Sequence, residues 1–296
     1  MSLEDTLRAW TLPSSDHEQD KQDRTERMIR EAVEAHEPFN GVRLSIYAKG
    51  SYANNTNVRT DSDVDIGVEC TECVYWKAED PDSHEAGPPY KGIWTPELLR
   101  AELVSALREK FGDQVDASGS TAIGVNSSTA RVDADVVPSF SYRYYLKSGS
   151  VRKGTKIFRR TGGSIVNYPE QQLERGREKN KRTNHYYKKG ARILKRVENA
   201  MVADDVFEEL PSYLVECLAY NCRDEVFGRS SWVGVTKGML VQIWEDLEGP
   251  EPTDSAERWL EANECFYLFH GAQAWDRPQA RRFAKAAWNY LDLANE

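Results

Sequence analysis

Apolar side chains recur at helical spacing over residues 14–36, where Met28, Ile29, Ala32 and Val33 form one stripe behind the capping candidates Ser14, Ser15 and Asp16. The period then shortens to two. Val42–Ala48 alternates as a half-buried strand, and after the Gly50-Ser51 turn and a short helix a second strand is expected over Asp63–Val68, with Val64, Ile66 and Val68 on one side. Residues 76–94 are rich in Pro, Gly and acids and read as a surface insertion. Thr95-Pro96-Glu97 opens a helix carrying Leu98, Leu99, Leu103, Val104 and Leu107. Another apolar strand over Ala130–Pro138 continues into Ser141–Tyr145 and a hairpin at Ser148-Gly149-Ser150. Beyond Pro169 the pattern is helical throughout, with helices expected over 171–202, 205–222, 231–247, 252–268 and 277–294 and with Trp232, Trp244, Trp259, Trp275 and Trp288 as core aromatics. The fold class is therefore α+β: a mixed-sheet lobe over 1–168, including the helix at 14–36, and a helical lobe over 169–296, with the active site in the cleft between them.

Chemistry enters where the second strand begins. Asp63 and Asp65 stand two apart on an apolar strand, so both project to one side. Two adjacent carboxylates repel unless a cation lies between them, and a hard divalent ion with oxygen ligands meets that need. The preceding Gly50-Ser51 offers a backbone amide and a hydroxyl to a phosphate. A nucleoside triphosphate held against Mg2+ is the ligand this pattern suits. A third carboxylate is available in Ala130-Arg131-Val132-Asp133-Ala134-Asp135-Val136-Val137-Pro138, where spacing leaves both Asp133 and Asp135 as candidates.

Composition narrows the classes. The 296 residues, 40% hydrophobic and 29% charged, suit a globular protein, and no apolar run approaches the ~20 residues that span a membrane. With no signal-peptide core at the N-terminus and five scattered cysteines, reduced thiols in the cytoplasm are expected. Cys70-Thr71-Glu72-Cys73 has zinc-like spacing without a second pair to complete a site. The net charge of −9 argues against a general nucleic-acid binder. Its distribution is uneven: residues 143–196 hold 17 Lys and Arg against three acids, a local +14 that leaves −23 for the remainder. A basic surface facing triphosphates is the expectation.

The chain resembles the cGAS/DncV-like nucleotidyltransferases, and among them the CdnE type. The likeness rests on Gly50–Arg59, Asp61–Asp65, Val166-Asn167-Tyr168-Pro169, Lys179-Asn180 with Thr183-Asn184, and Leu210–Leu218, in order over about 45–220. Lys49 departs from the pattern, standing before the Gly-Ser where family members often carry Gln. The resemblance implies a polymerase beta-like nucleotidyltransferase lobe with a helical lobe behind it. It also implies that Asp63, Asp65 and Asp135 are the catalytic carboxylates and ligands of two Mg2+ ions, with Mn2+ as a substitute. Asp135 is selected because the family pattern is Asp, two hydrophobic residues, Pro. By the same resemblance Lys195 and Ser212 contact the triphosphate and Tyr213 packs on a base. Asn167 offers one donor and one acceptor, which suit either uracil or adenine; the family's pyrimidine-using members carry Asn here, which favours uracil.

The implied activity joins UTP with ATP, or two UTP, into cyclic UMP-AMP or cyclic di-UMP. That product would be a second messenger acting on a separate effector in antiphage signalling of the CBASS type, with no membrane partner and no stable nucleic-acid polymer partner. A linear nucleotide or RNA nucleotidyltransferase and a non-catalytic nucleotide sensor are the competing functions. The acidic total charge weighs against the first, and the presence of all three carboxylates against the second.

Overall fold

A computed structural model describes residues 2–58, 63–83 and 89–296. Among the described residues, seven strands join one mixed sheet: β1 (Leu44–Lys49), β2 (Val64–Ala78), β3 (Val115–Asp116), β4 (Ile123–Val125), β5 (Ala134–Tyr145), β6 (Val151–Phe158) and β7 (Ser164–Asn167). Its main path is β1-β2-β5-β4-β3, parallel only between β2 and β5. The free edge of β5 is shared: β4 pairs with Ala134–Val136 and β6 with Phe140–Tyr145, while β7 extends β6.

The chain divides into two compact units. The sheet unit comprises 15–53 and the described part of 59–169. One face of its sheet carries α2 (Asp16–Ala35) and α4 (Pro96–Phe111). Ser15 starts α2 with a reciprocal capping box to Glu18, as Thr95 caps α4 through the Leu98 amide. Ile29, Val33, Leu99, Leu103 and Leu107 pack there against Val64, Ile66, Val68 and Val136. Each aliphatic side chain so buried contributes about 1.5–3 kcal/mol. Period-two alternation sends the intervening Asp65, Gly67 and Asp135 to the opposite face.

The helical unit comprises 1–14, 54–58 and 170–296, so two segments expected with the first lobe pack with the helices instead. The first includes α1 (Leu3–Trp10), whose Glu4 carboxylate accepts the Trp232 and Val233 amides at 3.0 and 2.9 Å. An acid at a helix N-terminus is favourable by roughly 0.3–1 kcal/mol. Arg192 ties down both segments, donating to the Thr11 carbonyl at 2.7 Å and the Asn55 carbonyl at 2.6 Å.

The helices differ from their expected spans in three places. The stretch 171–202 is two helices, α5 (Pro169–Arg182) and α6 (Tyr187–Ala203), because Asn184 and His185 take left-handed φ of 50° and 65°. The helix expected over 205–222 is only α7 (Ser212–Asn221), starting after Pro211. Residues 252–268 form no α-helix; a short 3-10 turn at Ser255–Glu257 is followed by a bridge between Leu260 and Tyr267. There the Asn221 amide captures both backbone groups of Leu260, at 2.7 and 3.0 Å, outcompeting helical bonding. α8 (Trp232–Asp246) and α9 (Arg277–Tyr290) complete the unit. β2 also outlasts expectation, since its end, through Ala78, pairs with β5 past an irregularity at Cys70/Val74.

Candidate active site

One row across three strands carries the chemistry. Lys49 is in register with Asp65 across β1 and β2, and Asp65 with Asp135 across β2 and β5. Register partners share a face, with neighbouring strands about 4.8 Å apart. A cation and two carboxylates therefore stand side by side on the face away from α2 and α4, and the row ends at Gly124 of β4. Burial pushes the Asp65 carboxyl above the usual carboxylate range; Lys49 opposes this and the Asp135 charge adds to it.

Gly50 follows β1 directly and opens α3 (Gly50–Ala53), a single helical turn. Its φ is +68°, and a Cβ there would lie 2.1 Å from Asp65 Oδ2. Only glycine brings backbone this close to the carboxylate. Ser51 is half-buried in the same turn, and Asp63 is exposed immediately before β2. Of the two candidates for the third carboxylate, Asp135 is the one beside Asp65; Asp133 precedes β5 and accepts a hydrogen bond from the Ser127 amide.

Asn167 ends β7, opposite Thr155, which is opposite Ser141. It shares the carboxylate face but stands two strands over and six residues along, on the order of 20 Å from Asp135 along the strand direction. Its amide has no hydrogen-bond partner among the described residues. Gly154 lets this turn sit close, since a Cβ there would meet the Asn167 carbonyl at 2.6 Å and the Tyr168 ring at 2.8 Å.

Among the described residues, no group of three or more His, Cys, Asp or Glu side chains is gathered closely enough to hold a metal ion alone. The donor set still suits a hard divalent cation. Mg2+ is commonly held by one or two carboxylates together with substrate phosphates rather than by a full protein cage, and Asp65 and Asp135 supply two neighbouring carboxylates, one raised partly by the other's charge.

In the helical unit Lys195, the expected phosphate contact, lies inside an ion pair. Lys195 is 3% exposed, and its ammonium lies 3.0 Å from Glu216 and 3.3 Å from the Thr56 hydroxyl. Glu216, 1% exposed, also accepts from Asn54 at 2.7 Å, from Gln172 at 3.2 Å and from the Thr56 hydroxyl. Burial pushes the Glu216 carboxyl up, but Lys195, Thr56 and Asn54 outweigh it and hold it below its usual range. The pair pins segment 54–58 to α6 and α7. Ser212 is exposed at the start of α7, and Tyr213 is half-buried beside it. The Tyr213 hydroxyl donates to Glu261 at 3.3 Å and accepts from Asn263 at 3.2 Å, and its ring meets Trp275 edge-on at 6.5 Å.

The +14 segment is likewise not one open basic surface. Lys179 is buried against Asp224 at 2.7 Å, and Arg192 and Lys195 are bound internally as described. Glu216 was missed in the sequence, although an acid inside the apolar run Leu214-Val215-Glu216-Cys217-Leu218 is a signal of a buried, paired charge. All five cysteines are free, and among the described residues no helix is long and apolar enough to cross a membrane.

A family model for the cGAS/DncV-like nucleotidyltransferase C-terminal helical domain matches residues 174–292. The chain is 32% identical over 293 residues to the cyclic dipyrimidine nucleotide synthase CdnE of Cecembia lonarensis, covering 98% of both. It is 34% identical over 294 residues to the enzyme of the same description from Legionella pneumophila, covering 97% of both. Among solved structures it is similar to the Elizabethkingia meningoseptica CdnE cyclic dinucleotide synthase with GTP and Apcpp, at a TM-score of 0.82 and 30% identity over 98% of this chain and 99% of that one.

Proposed function

The chain belongs to the CdnE-type cGAS/DncV-like nucleotidyltransferases, and from that membership we propose that it joins two nucleoside triphosphates and closes them into a uridine-containing cyclic dinucleotide, cyclic UMP-AMP or cyclic di-UMP. The observation that carries the catalytic part is the row Lys49, Asp65, Asp135 with Gly50 set against Asp65. The dipyrimidine relatives and the unpartnered Asn167 amide support the uridine. We assign the product to signalling through a separate effector, in antiphage defence of the CBASS type, within the cytoplasm.

In this reading Asp63, Asp65 and Asp135 would hold Mg2+, or Mn2+ in its place, which when bound supplies charge neutralisation at the triphosphate. Gly50 and Ser51 present a backbone amide and a hydroxyl to the donor phosphates. Asp135 accepts a hydrogen bond from the acceptor 3′-hydroxyl and so aims it at the α-phosphate. Lys49, beside Asp65, adds fixed positive charge next to the phosphates. Asn167 receives the N3–H of uracil and donates to its O4. Ser212 would meet phosphate and Tyr213 a base, the latter with its ring already held by Glu261, Asn263 and Trp275. Lys195 acts on position rather than on phosphate, by holding Glu216 and with it residues 54–58.

Incubation with the four labelled NTPs and Mg2+, followed by phosphatase and nuclease digestion and mass spectrometry, tests this. A phosphatase-resistant product containing uridine is expected. Label from UTP that never enters such a product defeats the uracil assignment, and products that lengthen with time point to a linear transferase. A purine-only product is the second reading, favoured by the likeness to a synthase solved with GTP and Apcpp.

A further inference from the structure

On the sheet face opposite the carboxylate row, a cavity of about 580 Å³ opens beside Pro138. Its place follows from the pairing of β5. Because β4 takes Ala134–Val136 and β6 takes Phe140–Tyr145, the edge over 137–139 has no strand beside it among the described residues. Pro138, which has no N–H to leave unpaired, sits in the middle of that gap. Phe140 and Phe158 complete an apolar, aromatic floor.

The rim is cationic. Arg100, Arg108, Arg159 and Arg160 line it against a single carboxylate, Glu97, in a chain whose net charge is −9. Two of these guanidiniums are framework. Arg100 donates to the carbonyls of Ala117, Gly119, Thr121 and Ala122, and Arg160 to those of Ala117 and Ser118, so both stay fixed at the mouth. Burial and the neighbouring Arg160 charge hold Arg100 below the usual guanidinium range, as expected where cations crowd. The other two, Arg108 and Arg159, are exposed and form no ion pair among the described residues.

We propose that this cavity is a second ligand site, distinct from the carboxylate row, that binds a small aromatic anion of the nucleoside monophosphate class. The ring lies on Pro138 and Phe158, and the phosphate is taken by Arg108 and Arg159. An apolar floor edged by the Phe158 ring favours an aromatic ligand, and guanidinium forks match phosphate oxygens two at a time.

Isothermal titration of the full chain with AMP in EDTA tests this, since chelation removes divalent ions from the carboxylate row. Saturable binding is expected for the wild type and for Asp65→Asn, with affinity at least about tenfold weaker in Arg108→Glu/Arg159→Glu. Adenosine and inorganic phosphate, titrated separately, are each expected to bind far more weakly than AMP. The proposal is overturned if AMP does not saturate the wild type, if the double arginine variant binds it unchanged, or if Asp65→Asn loses it. Phosphate binding as tightly as AMP overturns it as well, because the aromatic floor would then play no part. Both arginines are exposed, so the variants test binding rather than folding.

Discussion

Two pairs of charged side chains meet across neighbouring elements of this molecule, and they are built in opposite ways. In the helical unit Lys195 and Glu216 are almost wholly buried, opposite in sign, and joined by Asn54, Thr56 and Gln172, so that the carboxylate has a donor on every side. In the sheet unit Asp65 and Asp135 are half-buried, alike in sign, and placed in one row by strand register, with Lys49 opposite Asp65. The first arrangement is complete without a ligand. The second lacks positive charge that a cation with triphosphate would provide. Under the proposed function, the contrast separates a charged residue that holds the fold from one that waits for substrate.

The largest effect expected from breaking the contrast is at the like-charged pair. Asp65→Asn or Asp135→Asn should lower product formation by at least roughly 10³-fold, about 4 kcal/mol of transition-state stabilisation. The same variants should leave the melting temperature unchanged or raise stability by about 0.5–2 kcal/mol, because a repulsion is removed. Gly50→Ala belongs with them, but through geometry: its Cβ would stand 2.1 Å from Asp65 Oδ2, so activity and stability should fall together. Turnover assays beside thermal melts separate the two cases. An active Asp65→Asn enzyme would end the catalytic assignment.

At the opposite-charged pair the order reverses. Lys195→Met strands a buried carboxylate, and loss of one partner from such a pair costs about 3–5 kcal/mol. Chemical denaturation should report that loss, with kcat of the remaining folded enzyme changed much less. A stable Lys195→Met protein with a collapsed kcat would return Lys195 to the phosphate role that the resemblance implies.

The difference between the two pairs also marks how much could be read from residue order. Asp63, Asp65 and the Asp133/Asp135 alternative were legible because strand alternation is local and two carboxylates on an apolar strand are conspicuous. Caps and periodicity similarly located α2 and α4. Which aspartate faces Asp65 was not legible from spacing, because it depends on the register between β2 and β5, 70 residues apart at Asp65 and Asp135. The pairing of Lys195 with Glu216 was not legible for a related reason: a helical lysine looks the same whether it meets water or a carboxylate from the next helix. The missing helix at 252–268 was decided from outside that segment, by the Asn221 side chain.

A neutral group on the same face as the carboxylates sharpens the contrast at smaller scale. Asn167 carries no charge and has no partner among the described residues, so Asn167→Ala should leave folding intact. Its loss should weaken uridine incorporation relative to the other bases by roughly 10- to 100-fold, the worth of one bidentate base contact at about 1–3 kcal/mol. Competition among labelled NTPs measures the ratio directly. An equal fall for every base would make Asn167 a structural residue of the β6–β7 hairpin.

The smallest effect is the dependence of stability on pH, and it compares two buried glutamates of one unit. Glu216 is held below its ordinary value of 4.5 despite burial, by Lys195, Thr56 and Asn54. Its contribution is therefore present above pH 4.5 and is lost as pH falls through the lower folded value. Glu261 is raised above 4.5 by burial, which outweighs Asn263, Tyr213 and His270. The sign inverts: its contribution is present below pH 4.5 and is lost as pH rises through the higher folded value. Each unit of displacement corresponds to about 1.4 kcal/mol. Melting curves of Glu216→Gln and Glu261→Gln against the wild type, from pH 3 to 8, should show opposite slopes. The wild-type advantage over Glu216→Gln grows with pH, while the advantage over Glu261→Gln shrinks. Parallel slopes would mean that Lys195 does not overcome the burial of Glu216, and that the ion pair is not what keeps that carboxylate charged.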